Sequence, residues 1–171
     1  LGLLGLGRVG KAVARIGSAF GMKLLAWSPN LTAERAAEAD ARLVSKSELF
    51  AQSDVLTVHL VLGERTRGIV GAAELARMRQ DSILVNTSRG PLIQEAALMD
   101  ALRAGRPGVV ALDTFDREPL PADHPFRSMD NVLATPHLGY VTEDTYHQFY
   151  ASTVENIEAF LAGQPIRVLR H

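Results

Sequence analysis

Short apolar runs alternate with stretches of helical period along almost the whole chain. Residues 1–6 are an apolar run that meets an amphipathic stretch beginning at Arg8, where Val9, Val13, Ile16 and Phe20 fall at i, i+4, i+7 and i+11. That spacing predicts a helix whose apolar stripe docks on a sheet. A second strand is expected over 23–27, after Gly21, and a short helix over 32–39 leads to a short strand at 41–44. Ser45 and Glu48 have the spacing of a capping box, in which each side chain takes up the other's backbone N–H, and so mark the start of the next helix. The Val-Leu-Thr-Val content of 54–59 predicts a buried strand, followed by a helix at 72–79, a strand at 82–86 and a helix at 94–104 ended by Gly105. Strands at 109–112 and 132–134 flank an irregular segment, 113–131, with prolines at 119, 121 and 125; it is long for a mere connection. A last helix over 142–161 places Tyr150, Val154, Ile157 and Leu161 on one face and stops at Gly163.

Strands alternating with helices in this way are parallel strands joined by crossover helices. The expected fold is therefore α/β, a doubly wound parallel sheet of Rossmann type in three αβα layers. Such sheets bind ligands outside the carboxyl ends of their strands. Gly5, Gly7 and Gly10 form a G-x-G-x-x-G at the junction of the first strand and first helix. In a dinucleotide site Gly5 permits the tight turn, Gly7 lets backbone approach a pyrophosphate and Gly10 lets helix pack closely on strand. The phosphates then rest on the helix N-terminus. Glycine-rich openings also occur in methyl-donor binding folds, so the turn alone leaves that class open.

The 171 residues, 47% of them hydrophobic, suffice for one core, and the length is that of a single domain, 1–171. A net charge of −1 gives no electrostatic reason to expect nucleic acid or an anionic membrane as partner. Cysteine is absent, and the five histidines lack metal-ligand spacing, so no metal is expected. With no apolar run of membrane-spanning length and no signal-type segment, a soluble cytoplasmic protein is the expectation. The chain opens on a leucine already inside the first strand, as a fragment of a longer protein would.

Chemistry should sit at the strand ends, and polar residues gather there: Ser28 after the second strand, His59 after the fourth, Asn86 to Gly90 after the fifth, Asp113 after the sixth and His137 after the seventh. His124 and His147 are expected on the surface. The segments Gly5-Leu6-Gly7-Arg8-Val9-Gly10, Val85-Asn86-Thr87-Ser88-Arg89-Gly90-Pro91-Leu92-Ile93, Asp113-Thr114-Phe115-Asp116-Arg117-Glu118-Pro119-Leu120-Pro121 and Thr135-Pro136-His137-Leu138-Gly139 occur in this order. Together they resemble the cofactor domain of the D-isomer-specific 2-hydroxyacid dehydrogenases, over essentially all of the chain. The resemblance implies a hydride transfer between NAD(P) and a small D-2-hydroxy or 2-keto acid, such as 3-phosphoglycerate, glyoxylate, hydroxypyruvate or a lactate-like compound. Arg89 resembles the family arginine, whose planar fork holds a carboxylate bidentately. His137 resembles the general acid and base at the carbonyl oxygen, and Glu118 the carboxylate that orients its ring. Formate dehydrogenases of the superfamily carry glutamine at the Glu118 position, which argues against that branch.

The resemblance also implies that the cofactor is lined by Gly5, Gly7, Arg8, Val9 and Gly10 at the phosphates and by Ser28 at the adenosine ribose. His59, Thr66 and Thr87 follow along the groove, with Arg89, Asp113, His137 and Gly139 toward the nicotinamide. Asp113 meets the carboxamide. The chain departs from the family pattern at three places. Ser28 stands where NAD enzymes place a ribose-binding acid; NAD is the expected cofactor, with NADP left open and Arg35 the nearest cation in sequence. Val61 replaces a usual proline, and Tyr140 replaces a second glycine. Family members also have a second, substrate-binding domain, mostly N-terminal to this one, which is expected to be missing here, so that the fragment alone would turn over poorly. A homodimer is expected, since relatives pair through this domain. A dinucleotide-sensing module, like the corepressor relatives that share the fold, is the alternative function.

Overall fold

In the computed structural model, which describes residues 1–169, the chain forms seven strands: β1 (Gly2–Leu4), β2 (Leu24–Trp27), β3 (Ala41–Leu43), β4 (Val55–Val58), β5 (Ile83–Asn86), β6 (Val109–Leu112) and β7 (Val132–Ala134). The helices are α1 (Arg8–Ala19), α2 (Ala33–Ala37), α3 (Lys46–Gln52), α4 (Ala72–Leu75), α5 (Glu95–Arg103) and α6 (Glu143–Leu161). All strand pairs are parallel, in the order β3-β2-β1-β4-β5-β6-β7, with Leu4 of β1 in register with Trp27 on one side and Val58 on the other. This is the doubly wound Rossmann-type sheet expected from the alternation, and its direction of winding reverses between β1 and β4.

Side chains alternate across a strand, so Leu3 and Leu4 belong to different cores. Leu3, Leu24 and Ala26 pack with Ala14 of α1 and Ala36 of α2. Leu4, Leu56, Val58, Leu84 and Val110 pack with Leu49 and Phe50 of α3, Leu75 of α4 and Leu98 of α5. The contacts divide the chain into two compact units, Leu1–His137 and Leu138–His171. In the second unit α6 is N-capped by Thr142, whose hydroxyl accepts the Thr145 N–H, and Gly163 follows its end in the left-handed region at φ +71°. No residue of α6 is buried, and its Tyr146 and Tyr150 rings stack with centroids 6.0 Å apart. No helix among the described residues is long and apolar enough to cross a membrane.

The helical period of α1 is as predicted, but its phase is shifted by one residue. Gly10, Ala14 and Gly17 face the sheet, while Val9, Ile16 and Phe20 are 56%, 60% and 82% exposed. Close approach decides the phase, because a Cβ on Gly10 would lie 2.2 Å from the Gly5 carbonyl oxygen. Large side chains could not occupy that face. The helix predicted at 72–79 closes after Leu75, where Arg77 and Met78 donate to the carbonyls three residues back and tighten the chain into turns. The irregular segment has internal order: Arg127 donates to the Leu120 and Pro121 carbonyls, and Pro125–Arg127 form a 3₁₀ turn. His124 is not the surface residue expected. Its side chain is 13% exposed, its Nδ1 accepts the Phe126 N–H, and its Nε2 meets Glu95 Oε1 at 3.2 Å, which staples the loop to α5. His147 is exposed as expected.

Candidate active site

The glycine turn is built by steric necessity. Gly5 has φ +105°, in the left-handed region, and a Cβ there would come within 2.7 Å of the His59 backbone. A Cβ on Gly7 would meet nothing within 4 Å, so that position faces open space. Gly7 caps α1 without a side-chain hydrogen bond, and no acidic residue stands in the first turn. The N–H groups of that turn lack intrahelical partners by geometry, and they point at the space above Gly7. Here is a cradle for an anion at the N-terminus of a 12-residue helix.

Above the β1/β4 reversal two clefts adjoin, sharing residues 59–62. The first, about 670 Å³, brings together Gly5, Gly7, Ser28, His59 and Thr66. The second, about 600 Å³, is lined by Val9, His59, Thr87 and Arg89. Arg8 is exposed in the first turn of α1, whereas Gly10 is buried beneath the turn and serves packing. Thr66 shapes its loop from within: its hydroxyl donates to the Val61 carbonyl at 2.7 Å and accepts the Gly63 N–H. Burial holds the His59 imidazole below the usual histidine pKa, and its Nε2 bonds Thr57 Oγ1 at 3.0 Å. A ring of that kind stays neutral near neutral pH.

A third cavity, about 430 Å³, is lined by Glu118 and His137 together with Phe115, Arg127 and Thr135. His137 Nδ1 lies 2.7 Å from Glu118 Oε2, and Glu118 Oε1 accepts the Phe115 N–H at 2.9 Å. The histidine backbone is in the left-handed region at φ +57°, a conformation that costs a non-glycine residue about 1–2 kcal/mol. Such strain is concentrated at functional sites. Partial desolvation, the largest influence on Glu118, pushes its pKa up. The hydrogen bonds from His137 and the Phe115 N–H, with the charges of His137 and Arg89, outweigh it and hold the carboxyl below its usual value. Arg89 thus acts through space on the carboxylate that His137 touches, although Arg89 lines a different cleft.

A carboxyl whose pKa is lower folded than unfolded adds stability that is fully present above the unfolded value and is lost as pH falls through the folded one. The melting-temperature gap between the wild type and Glu118→Gln should accordingly be widest at neutral pH and close on acidification, as the carboxyl becomes protonated in the folded state. A gap independent of pH would contradict the charged pair.

Asp113 lines none of these clefts. It is buried, and its Oδ1 accepts the Thr135 hydroxyl at 2.6 Å, which ties the ends of β6 and β7. Gly139 lies in the turn at 138–141 that opens the second unit. Two positioning residues carried no separate role in the sequence reading. Asn86 is buried at the end of β5, where its amide donates to the Arg89 carbonyl and accepts the Ser88 N–H. The Ser88 hydroxyl donates to the Leu60 carbonyl at 2.9 Å and joins the loop after β5 to the loop after β4. An asparagine closing an otherwise apolar strand is the signal that could have marked the first.

Residues 1–139 match the family described as D-isomer specific 2-hydroxyacid dehydrogenase, NAD binding domain. A glyoxylate reductase from Aeropyrum pernix is 40% identical over 164 residues, 96% of this chain and 49% of the relative. A D-3-phosphoglycerate dehydrogenase from Archaeoglobus fulgidus is 37% identical over 97% of this chain and 32% of its own length. The crystal structure of a phosphoglycerate oxidoreductase from Vibrio cholerae o395 superposes with a TM-score of 0.88 at 39% identity, covering 95% of this chain and 52% of that one. The chain therefore spans about half or less of the length of these relatives. A family match that takes in the glycine turn, the Arg89 loop and the Glu118–His137 pair places this chain among the NAD-binding domains of the D-isomer specific 2-hydroxyacid dehydrogenases.

Proposed function

We propose that the chain is the dinucleotide-binding domain of an NAD(P)-dependent oxidoreductase acting on a small D-2-hydroxy or 2-keto acid, with a substrate-binding domain supplied elsewhere in the protein. The observation that carries this reading is the 2.7 Å contact between His137 Nδ1 and Glu118 Oε2, within the electrostatic reach of Arg89. The cradle above Gly7 fits a pyrophosphate, and the groove over the β1/β4 reversal fits an extended dinucleotide. When bound, the nicotinamide supplies or takes up the hydride. Arg89 holds the substrate carboxylate in its planar fork. Glu118 engages Nδ1 of His137, which leaves Nε2 to give the proton to the carbonyl oxygen in reduction and to remove it in oxidation. Asp113, held by Thr135, completes the nicotinamide end, as the family pattern implies.

The same reading places the reaction in the cytoplasm, one of the compartments that hold nicotinamide dinucleotides. A homodimer is part of the same reading, supported by the exposed apolar side chains of Ile16 and Phe20 on α1. Light scattering that returns only monomer removes this part.

The deciding experiment follows reduced-nicotinamide absorbance with the full-length protein and glyoxylate, hydroxypyruvate, pyruvate and phosphohydroxypyruvate. Turnover of at least one of them is expected. Tight dinucleotide binding with no turnover on any would favour a sensing module instead.

A further inference from the structure

We infer that the adenosine end of the groove is built for a ribose 2′-phosphate, so that this chain binds 2′-phosphorylated dinucleotides more tightly than unphosphorylated ones. The inference rests on the dinucleotide reading above and adds the identity of the cofactor. Once the pyrophosphate is placed over Gly7, the end of β2 is where the adenosine ribose arrives. A carboxylate at that point would bind a ribose diol and repel a phosphate. The chain has Ser28 instead, half-buried, with a hydroxyl that can donate to a phosphate oxygen.

The surrounding wall is cationic. Arg35 from α2 and Arg65 from the loop after β4 line the same cleft as Ser28 and Asn30. They approach it from opposite sides of the β1/β4 reversal, and the only carboxylate lining that cleft is Glu64. Neither guanidinium has an ion-pair partner among the described residues. The acids of α2 and its C-cap make their contacts elsewhere: Glu38 pairs with Lys11 at 2.8 Å and feels Arg35 only as a weaker, through-space charge, and Glu34 is held ionised by its own backbone N–H and the Thr32 hydroxyl. Two planar forks outside any ion pair and a hydroxyl around one open volume match a dianionic phosphate monoester, whose oxygens accept charge-assisted bonds from both.

Calorimetry on the full chain with 2′-phospho-ADP-ribose and with ADP-ribose tests this without any turnover. The phosphorylated probe should bind about tenfold more tightly at low salt, as two partly exposed charge contacts would give, and the ratio should shrink as salt rises. Arg35→Ala and Arg65→Ala, both at exposed positions where folding is undisturbed, should each reduce the ratio by about threefold or more. Ser28→Asp should invert it. Equal affinities, tighter binding of ADP-ribose, or a ratio untouched by both arginine substitutions would overturn the inference. Failure of both probes to bind would also overturn it, and would take the dinucleotide reading with it; selective binding of ADP-ribose would leave that reading standing.

Discussion

Gly90→Ala is expected to lower the stability of the Leu1–His137 unit by about 3 kcal/mol, the upper end of the usual cost of an overpacked site, because this one cannot relax. The added Cβ would lie 2.1 Å from the Phe115 carbonyl carbon, 2.4 Å from its oxygen and 2.5 Å from the Asp116 nitrogen. All three are backbone atoms, so no rotamer change relieves the contact. The loop after β5, which ends in Arg89, and the loop after β6, whose Phe115 N–H holds Glu118, must separate. The substitution should therefore damage the site as well as the fold. A urea midpoint falling at constant m-value would show the stability loss. A wild-type midpoint would mean that the two loops slide apart freely, contrary to the hydrogen bonds that anchor them.

The second large effect is expected at the proposed proton donor. In the full-length enzyme, His137→Asn should lower kcat by about 10²–10⁴-fold, the usual contribution of a positioned general acid. Asparagine is the informative replacement because it tolerates the left-handed backbone at φ +57°, so the loss is not a folding defect. KM should change little. Arg89→Lys should behave differently, since a lysine keeps the charge but loses the bidentate fork, and it should raise KM together with a fall in kcat/KM of about 10²-fold. If His137→Asn and Arg89→Lys gave the same pattern, the separation of roles between proton transfer and carboxylate binding would be wrong.

The parallel direction of the strands and the doubly wound class were legible in the alternation of apolar runs with helical periods, because parallel strands buried by crossover helices need just that pattern. The capping box of Ser45 and Glu48 was legible too, since it is a local exchange of hydrogen bonds. The phase of α1 was not. Hydrophobic periodicity locates the greasy side of a helix, whereas here the sheet is so close that only glycine and alanine fit beneath, at Gly10, Ala14 and Gly17. His124 was misjudged for a related reason: its partner Glu95 is 29 residues away, and no local signal reports such a meeting. The contact between His137 and Glu118, 19 residues apart, was reachable only through resemblance, because the loop that joins them follows its own hydrogen bonds rather than a period. Arg65 lay beyond sequence reasoning altogether, since its approach to Ser28 depends on how two loops on different strands face each other.

The clamp that Asn86 places on the Arg89 carbonyl fixes the root of the arginine, while its guanidinium rests on the Ser88 carbonyl at 2.6 Å. The peptide is already immobilised by the core, so seizing a substrate need quench only the rotations of one long side chain, a cost of about 2 kcal/mol at most. An exposed loop of equal length, freezing several residues at once, would forfeit far more of its attraction to disorder. On the proposed reading, the anchoring amide thus lowers the disorder that must be given up when a small carboxylate is caught.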